Sequence, residues 1–187
     1  MTVESDLIAL RRDVQHLKDR QAIGDCIARH ARGCDRHDLD LIASAYWADG
    51  IDEHGVVTNS GAQYGAWANQ THAATTEVHT HNVTTHTCEI DGDTAHAESY
   101  VIVVLLSNDG RSAQFISGRY LDRLVRRNGE WRIALRRSTV EVMFGADASV
   151  LQSSFFKAQG YLKGTRGPDD LSYQRPLALD RDDALRW

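Results

Sequence analysis

The chain has 187 residues, enough for one domain that closes over a core and keeps a pocket inside it. Its composition is globular, 42% hydrophobic and 25% charged, and no apolar run approaches the roughly eighteen residues that a membrane span needs. A net charge of -5 leaves no basic stripe for phosphate, so neither nucleic acid nor a membrane is expected as a partner.

The opening, MTVESDLIALRRDVQ, carries acids and no continuous apolar segment, which predicts no secretory signal and a cytoplasmic location. Leu7, Leu10, Val14 and Leu17 alternate at steps of three and four and predict an amphipathic helix. Asp19 is placed to cap a second helix, in which Ile23, Ile27, His30 and Cys34 form an inward stripe that includes a histidine. Asp38 is placed to cap a short third helix containing Leu41, Ile42, Ala45 and Tyr46. After Gly50 the pattern changes to short turn-separated segments, with GAQYGAWANQTHAA as a small helix among them.

From Val78 the chain reads as strands: Val78 to Ile90, Thr94 to Leu106, Ser112 to Val125 and Trp131 to Phe144. Asp91-Gly92-Asp93, Asn108-Asp109-Gly110 and Asn128-Gly129 separate them as hairpin turns. Consecutive hairpins of long strands predict a strongly curved antiparallel meander, and helices followed by such a sheet make an α+β fold. Gly145 to Trp187 holds both prolines and the run GTRGPDD, and is expected to form an arm that covers a pocket or a neighbouring subunit. Cys26, Cys34 and Cys88 lack metal-ligand or CxxC spacing and are expected to be reduced and buried.

VHTHNVTTH, from Val78 to His86, carries the chemistry. Alternation along a strand puts His79 and His81 on one face and His86 on the other. A catalytic metal would need a further ligand, from His96 or Glu98, and no metal is expected. His79 and His86 fit exposed strand histidines. His81 is the candidate base, because neutral imidazole is suited to taking a proton near neutrality. Asp35, at the end of the inward helix, is the candidate acid to orient it, although the same spacing fits an exposed helix-terminal carboxylate. On the last strand Trp131, Ile133, Leu135, Arg137, Thr139 and Glu141 share a face, so Arg137 and Glu141 are expected either in the cavity or in surface pairs. Tyr46, Trp47, Tyr64 and Tyr100 fit core or pocket wall.

Three stretches, LKDRQAIGDCIARHARGCDRHDLDLIASAYWADG, VHTHNVTTHTCEIDGDTAHAESY and GRYLDRLVRRNGEWRIALRRSTV, together resemble the SnoaL-like branch of the nuclear transport factor 2-like superfamily over residues 5 to 144. The resemblance is nearest to the bile acid 7α-dehydratases, scytalone dehydratase and the hexachlorocyclohexane dehydrochlorinases. It implies an α+β cone for residues 1–144, leaving the arm at 145–187 outside it, a homo-oligomer (trimer or dimer), and chemistry without a cofactor. It also implies a histidine base paired with an aspartate, positions that fall on His81 and Asp35. His30 stands where two of those enzyme groups have a tyrosine, which leaves an imidazole to serve the leaving oxygen. The implied function is a lyase of the dehydratase type acting on a small hydrophobic cyclic or aromatic substrate. Tyr46, Trp47, Tyr100, Arg137 and Glu141 are then the expected substrate contacts. The alternatives are a carbon-carbon lyase releasing formaldehyde from a hydroxymethyl-bearing aromatic dimer, a metal-dependent enzyme, and a non-catalytic binding module.

Overall fold

The computed structural model describes residues 2–179 and 184–187. Helix α1, Val3–Arg36, is continuous for 34 residues, about 50 Å, where two helices were expected. Asp19 does not cap a helix. Its carboxylate accepts from Arg126 Nη1 at 2.8 Å, Trp131 Nε1 at 2.9 Å and Gln15 at 3.1 Å, all side chains, so no backbone turn is diverted at that point. Burial begins at Asp19, whereas Leu7, Leu10, Val14 and Leu17 are all exposed, so the first half of the helix stands clear of the core.

The end of α1 is built for a reversal. His37 adopts the left-handed conformation at φ 53°, and its N–H closes onto Cys34. Asp38 caps α2, Leu39–Ala45, by accepting from Leu41 N–H, as its side chain predicts. Gly33 makes the return possible, because a Cβ there would lie 2.8 Å from Ile42 Cγ1.

Strand β1, Tyr46–His54, and strand β2, Val57–Ser60, occupy the stretch that the sequence reading left without strands. Helix α3, Gly61–Thr75, leads into β3, Thr76–Asp91; β4, Thr94–Ser107; β5, Ser112–Arg127; and β6, Glu130–Asp147. The six strands form one curved, unclosed sheet in the order β2-β1-β6-β5-β4-β3, antiparallel except where β1 runs parallel to β6. Helices on a mainly antiparallel sheet make this the expected α+β fold. The main core lies between them and includes Ile23, Ile27, Ile42, Tyr46, Tyr64, Leu124, Trp131 and Ile133. Cys26, Cys34 and Cys88 are free and buried. Among the described residues no helix is long and apolar enough to cross a membrane.

A bulge in β6 decides which arginine enters the protein. Leu124 pairs with Ile133 and Arg123 with Leu135, so Ala134 is an extra residue and the side-chain alternation inverts beyond it. Arg136 therefore turns inward and is wholly buried, and Arg137 turns outward. Arg136 meets Asp122 twice at 2.7 Å, donates to His30 Nδ1 at 2.8 Å and lies 3.9 Å above the Tyr120 ring. After β6 the chain turns back toward the end of α1. Lys163 pairs with Glu77, Arg36 with Asp170, and Tyr173 with Asp38, pinning the arm across the end of α1.

Removing one partner of a buried ion pair leaves the other charge without compensation. Arg136→Met is therefore expected to lower unfolding free energy in urea by about 3–5 kcal/mol. The double change Arg136→Met with Asp122→Leu should recover most of that loss.

Candidate active site

Asp35 lies in the last turn of α1, and His81 lies on β3, the edge strand of the sheet. An edge strand has N–H groups that no neighbouring strand takes up. Asp35 uses one of them: both carboxylate oxygens accept from the His81 backbone N–H at 3.0 Å. The same carboxylate meets His81 Nδ1 at 2.7 Å. Nδ1 therefore carries the proton and Nε2 presents a lone pair, with no protein partner for Nε2 among the described residues. Both side chains are largely shielded, at 6% exposure for His81 and 12% for Asp35.

His81 lines a cavity of about 450 Å³. Its apolar wall comes from Val101, Val103 and Leu105 of β4, Ile116 of β5 and Val140 of β6. Its polar side chains are His54, His72, His81, Tyr120, Ser138 and Thr139. Gly118 of β5 lies in the wall where the backbones crowd, because a Cβ there would stand 2.0 Å from the Thr139 carbonyl oxygen.

His81 belongs to a nest of imidazoles. His79, expected on the surface, is buried. Its ring lies between the Cys34 carbonyl oxygen, 3.0 Å from Nε2, and Arg166 of the arm, 2.9 Å from Nδ1. Arg166 can only donate, so Nδ1 accepts and Nε2–H donates to Cys34. His72 packs 4.0 Å from His79 and 5.7 Å from His81, centroid to centroid. Burial, reinforced by neighbouring histidines and Arg166, lowers the pKa of His79 to about 2 and of His72 to about 3. Burial and Arg166 lower that of His37 to about 4. These rings are neutral at pH 7. Two groups have donor atoms within 4.8 Å of one another, as a metal site requires: His37, His72 and His79, and Asp35, His79 and His81. His79 is common to both, and a metal at either would compete with its bonds to Cys34 and Arg166.

The structure brings Asp35 and His81 together and sets the other expected site residues apart from them. His30 is fully buried behind the cavity wall, accepts from Arg136 and packs against Tyr46, Tyr64 and Tyr120. Its pKa is driven well below the ordinary value, by burial first and Arg136 second, so the ring is neutral and its one N–H, on Nε2, is a poor acid beside Cys34. Tyr46 is in the core, with its hydroxyl on Asp52 at 2.6 Å. Trp47 donates to the Val125 carbonyl oxygen, and Arg127 and Arg132 lie over its ring. Tyr100 is exposed beside Arg119, which also pairs with Glu141 at 2.8 Å. Arg137, turned outward by the β6 bulge, pairs with Glu53 at 2.7 Å beside a separate open groove that also contains His96 and Glu98.

The cavity residues that the sequence reading missed are His54, His72, Tyr120 and Ser138. For His72 a signal existed: it extends the four-residue row Tyr64, Ala68, whose members are buried on α3. His54 could be reached only by reading DGIDEHG as a strand, whose alternate members Gly50 and Asp52 are buried.

The SnoaL-like domain family matches residues 15–137. The solved structures similar to this chain include a hexachlorocyclohexane dehydrochlorinase, LinA-type3, from Novosphingobium barchaimii: 20% identity, TM-score 0.67, covering 72% of this chain and 94% of that one. A provisionally assigned scytalone dehydratase from Novosphingobium aromaticivorans is 15% identical, with TM-score 0.63 and coverage of 69% and 88%. A protein of unknown function from Mycobacterium tuberculosis is 27% identical, with TM-score 0.60 and coverage of 68% and 74%. No curated protein matches the chain. With the family's pattern running through two thirds of its length, this chain belongs to the SnoaL-like domain family.

Proposed function

We propose that the chain is a cofactor-independent lyase in which His81, held by Asp35, removes a proton from a small, largely apolar cyclic or aromatic substrate. The contact that carries this reading is the 2.7 Å pairing of His81 Nδ1 with Asp35 beside a partly open, largely apolar cavity. An oriented imidazole with a free Nε2 is a base, and the carboxylate behind it stabilises the imidazolium that forms. The cavity, about 450 Å³, falls within the roughly 300–1,000 Å³ that small-molecule sites occupy. Neutral His72 and His79 beside His81 add no positive charge to oppose the proton's arrival.

Likeness to a dehydrochlorinase and to a provisionally assigned scytalone dehydratase supports elimination as the reaction class. In this reading the arm covers the outer side of the imidazole nest, where Arg166 bonds His79 and Thr76 and Arg36 bonds Asp170. The exposed row Leu7, Leu10, Val14 and Leu17 supports a homo-oligomer that buries it.

A screen of hydroxylated alicyclic and aromatic compounds, read by mass change, tests the reading. On any compound turned over, His81→Ala should cost about 10²–10⁴ in kcat/KM. Asp35→Asn should lose most of the same factor with the fold intact. Unchanged turnover in His81→Ala would overturn the assignment. A chelator should leave the rate unaltered, whereas loss on chelation and return with zinc would favour the metal-binding groups around His79. The buried imidazoles also set a pH dependence of folding. Below the ordinary imidazole value of 6.5 the unfolded chain takes up protons that folded His72 and His79 refuse until about 3 and about 2. Stability should therefore be fullest above pH 6.5 and fall steadily as the pH drops toward 4. Urea midpoints across that range measure the slope, which His72→Gln should reduce.

A further inference from the structure

Three of the side chains lining the cavity present a buried polar atom with no hydrogen-bond partner among the described residues: His54 Nδ1, His72 Nδ1 and Ser138 Oγ. His54 stands out because the atom facing it is unpartnered as well. Asp52, fully buried two residues earlier on β1, turns Oδ1 toward His54 Nδ1 at 3.4 Å, and that oxygen also lacks a hydrogen bond. The other oxygen, Oδ2, accepts from Tyr46 at 2.6 Å, which fixes the carboxylate in place. A buried carboxylate oxygen and a buried imidazole nitrogen, each without another partner, are complementary once a proton sits on Nδ1. The ring of His54 is braced by Trp67 at 5.4 Å and Tyr64 at 6.3 Å, centroid to centroid. In the parallel ladder between β1 and β6 its register partner is Ser138, so the two polar groups enter the cavity side by side.

Resting on the reading of His81 as the base, we propose that His54, backed by Asp52, is the general acid of the same cavity. The substrate class follows from this: a compact ring compound with a hydroxyl on the carbon next to an acidified C–H, rather than an organohalide. Hydroxide is a poor leaving group and needs a proton as it departs, whereas chloride leaves without one. In the elimination, His81 Nε2 takes the proton from carbon and the C–H electron pair becomes the new double bond. The C–O bond breaks, the departing oxygen takes the proton from His54 Nε2, and water is released. His54 is left neutral and His81 protonated, so transfer of one proton from His81 to His54, through solvent, resets the site with no oxidant or reductant.

Two measurements on the intact chain test this. The first is imidazole nitrogen NMR on protein labelled with 15N-histidine. The His54 ring should carry its Nδ1 proton, and Asp52→Asn should shift the His54 nitrogens while leaving those of His81 in place. The second compares 3-hydroxycyclohexanone with 3-chlorocyclohexanone, which share one carbon skeleton and differ in the group expelled. In His54→Gln the release of water should slow by about 100-fold or more, while the release of chloride should fall by less than about threefold. His81→Ala should abolish both. Equal losses for the two compounds in His54→Gln, or His54 nitrogens unmoved by Asp52→Asn, would overturn the assignment of the acid. Full activity in His81→Ala would instead overturn the elimination reading on which it rests.

Discussion

A guanidinium sealed from water needs its charge compensated inside the protein, and that of Arg136 is. Asp122 takes its forked edge, His30 one of the remaining N–H groups, and Tyr120 its face. Those partners lie on α1 and β5 and Arg136 itself on β6, so one buried cation ties the long helix to the middle of the sheet. The tie stands one turn and a half from Asp35, and it sets the roll of α1 about its own axis. With the roll fixed, Asp35 has one direction to point, and β3 lies along it. The ion pair offsets its own desolvation only while all its partners are present, which makes the helix-to-sheet angle a specific arrangement rather than a greasy contact.

The dyad also depends on the sheet staying open. Had β3 been paired on both sides, the His81 N–H would have belonged to a strand, and Asp35 would have kept only the imidazole. Because the edge is free, the carboxylate is gripped by main chain and side chain of one residue, which fixes its position more tightly than a single ring contact would. The arm that lies over this edge brings Arg166 to His79, and the helix end brings the Cys34 carbonyl oxygen to the same ring. His79 is thus a joint between three segments of the chain, kept uncharged by burial first and by the neighbouring histidines and Arg166 after it.

Much of this was legible before any coordinates. Hairpin residues such as Asn128-Gly129, alternation along the long strands and the capping side chain of Asp38 act locally, and the elements they predict are present. For Asp35 the spacing fits an orienting acid and an exposed helix-terminal carboxylate alike, and it is the resemblance to the SnoaL-like family that points to its pairing with His81. What escaped the reading was set by contacts distant in sequence. Asp19 looks like a cap until Arg126 and Trp131, over a hundred residues away, claim its carboxylate. Arg137 looks inward until one extra residue, Ala134, reverses the alternation, and a bulge with no glycine or proline leaves no local mark. His54 and Asp52 lie on a short strand paired to the far end of the chain, so their strand character comes from β6 more than from their own sequence.

The family's pattern stops at residue 137, but the physical enclosure of the site does not. Ser138, Thr139 and Val140 of the cavity wall, and Arg166 beside His79, all lie beyond it. Trimming the chain to the matched stretch would keep His81 and Asp35 yet remove Ser138, Thr139 and Val140 from the cavity wall and Arg166 from His79. In this protein the boundary drawn by kinship and the boundary drawn by solvent fall in different places, and chemistry follows the second.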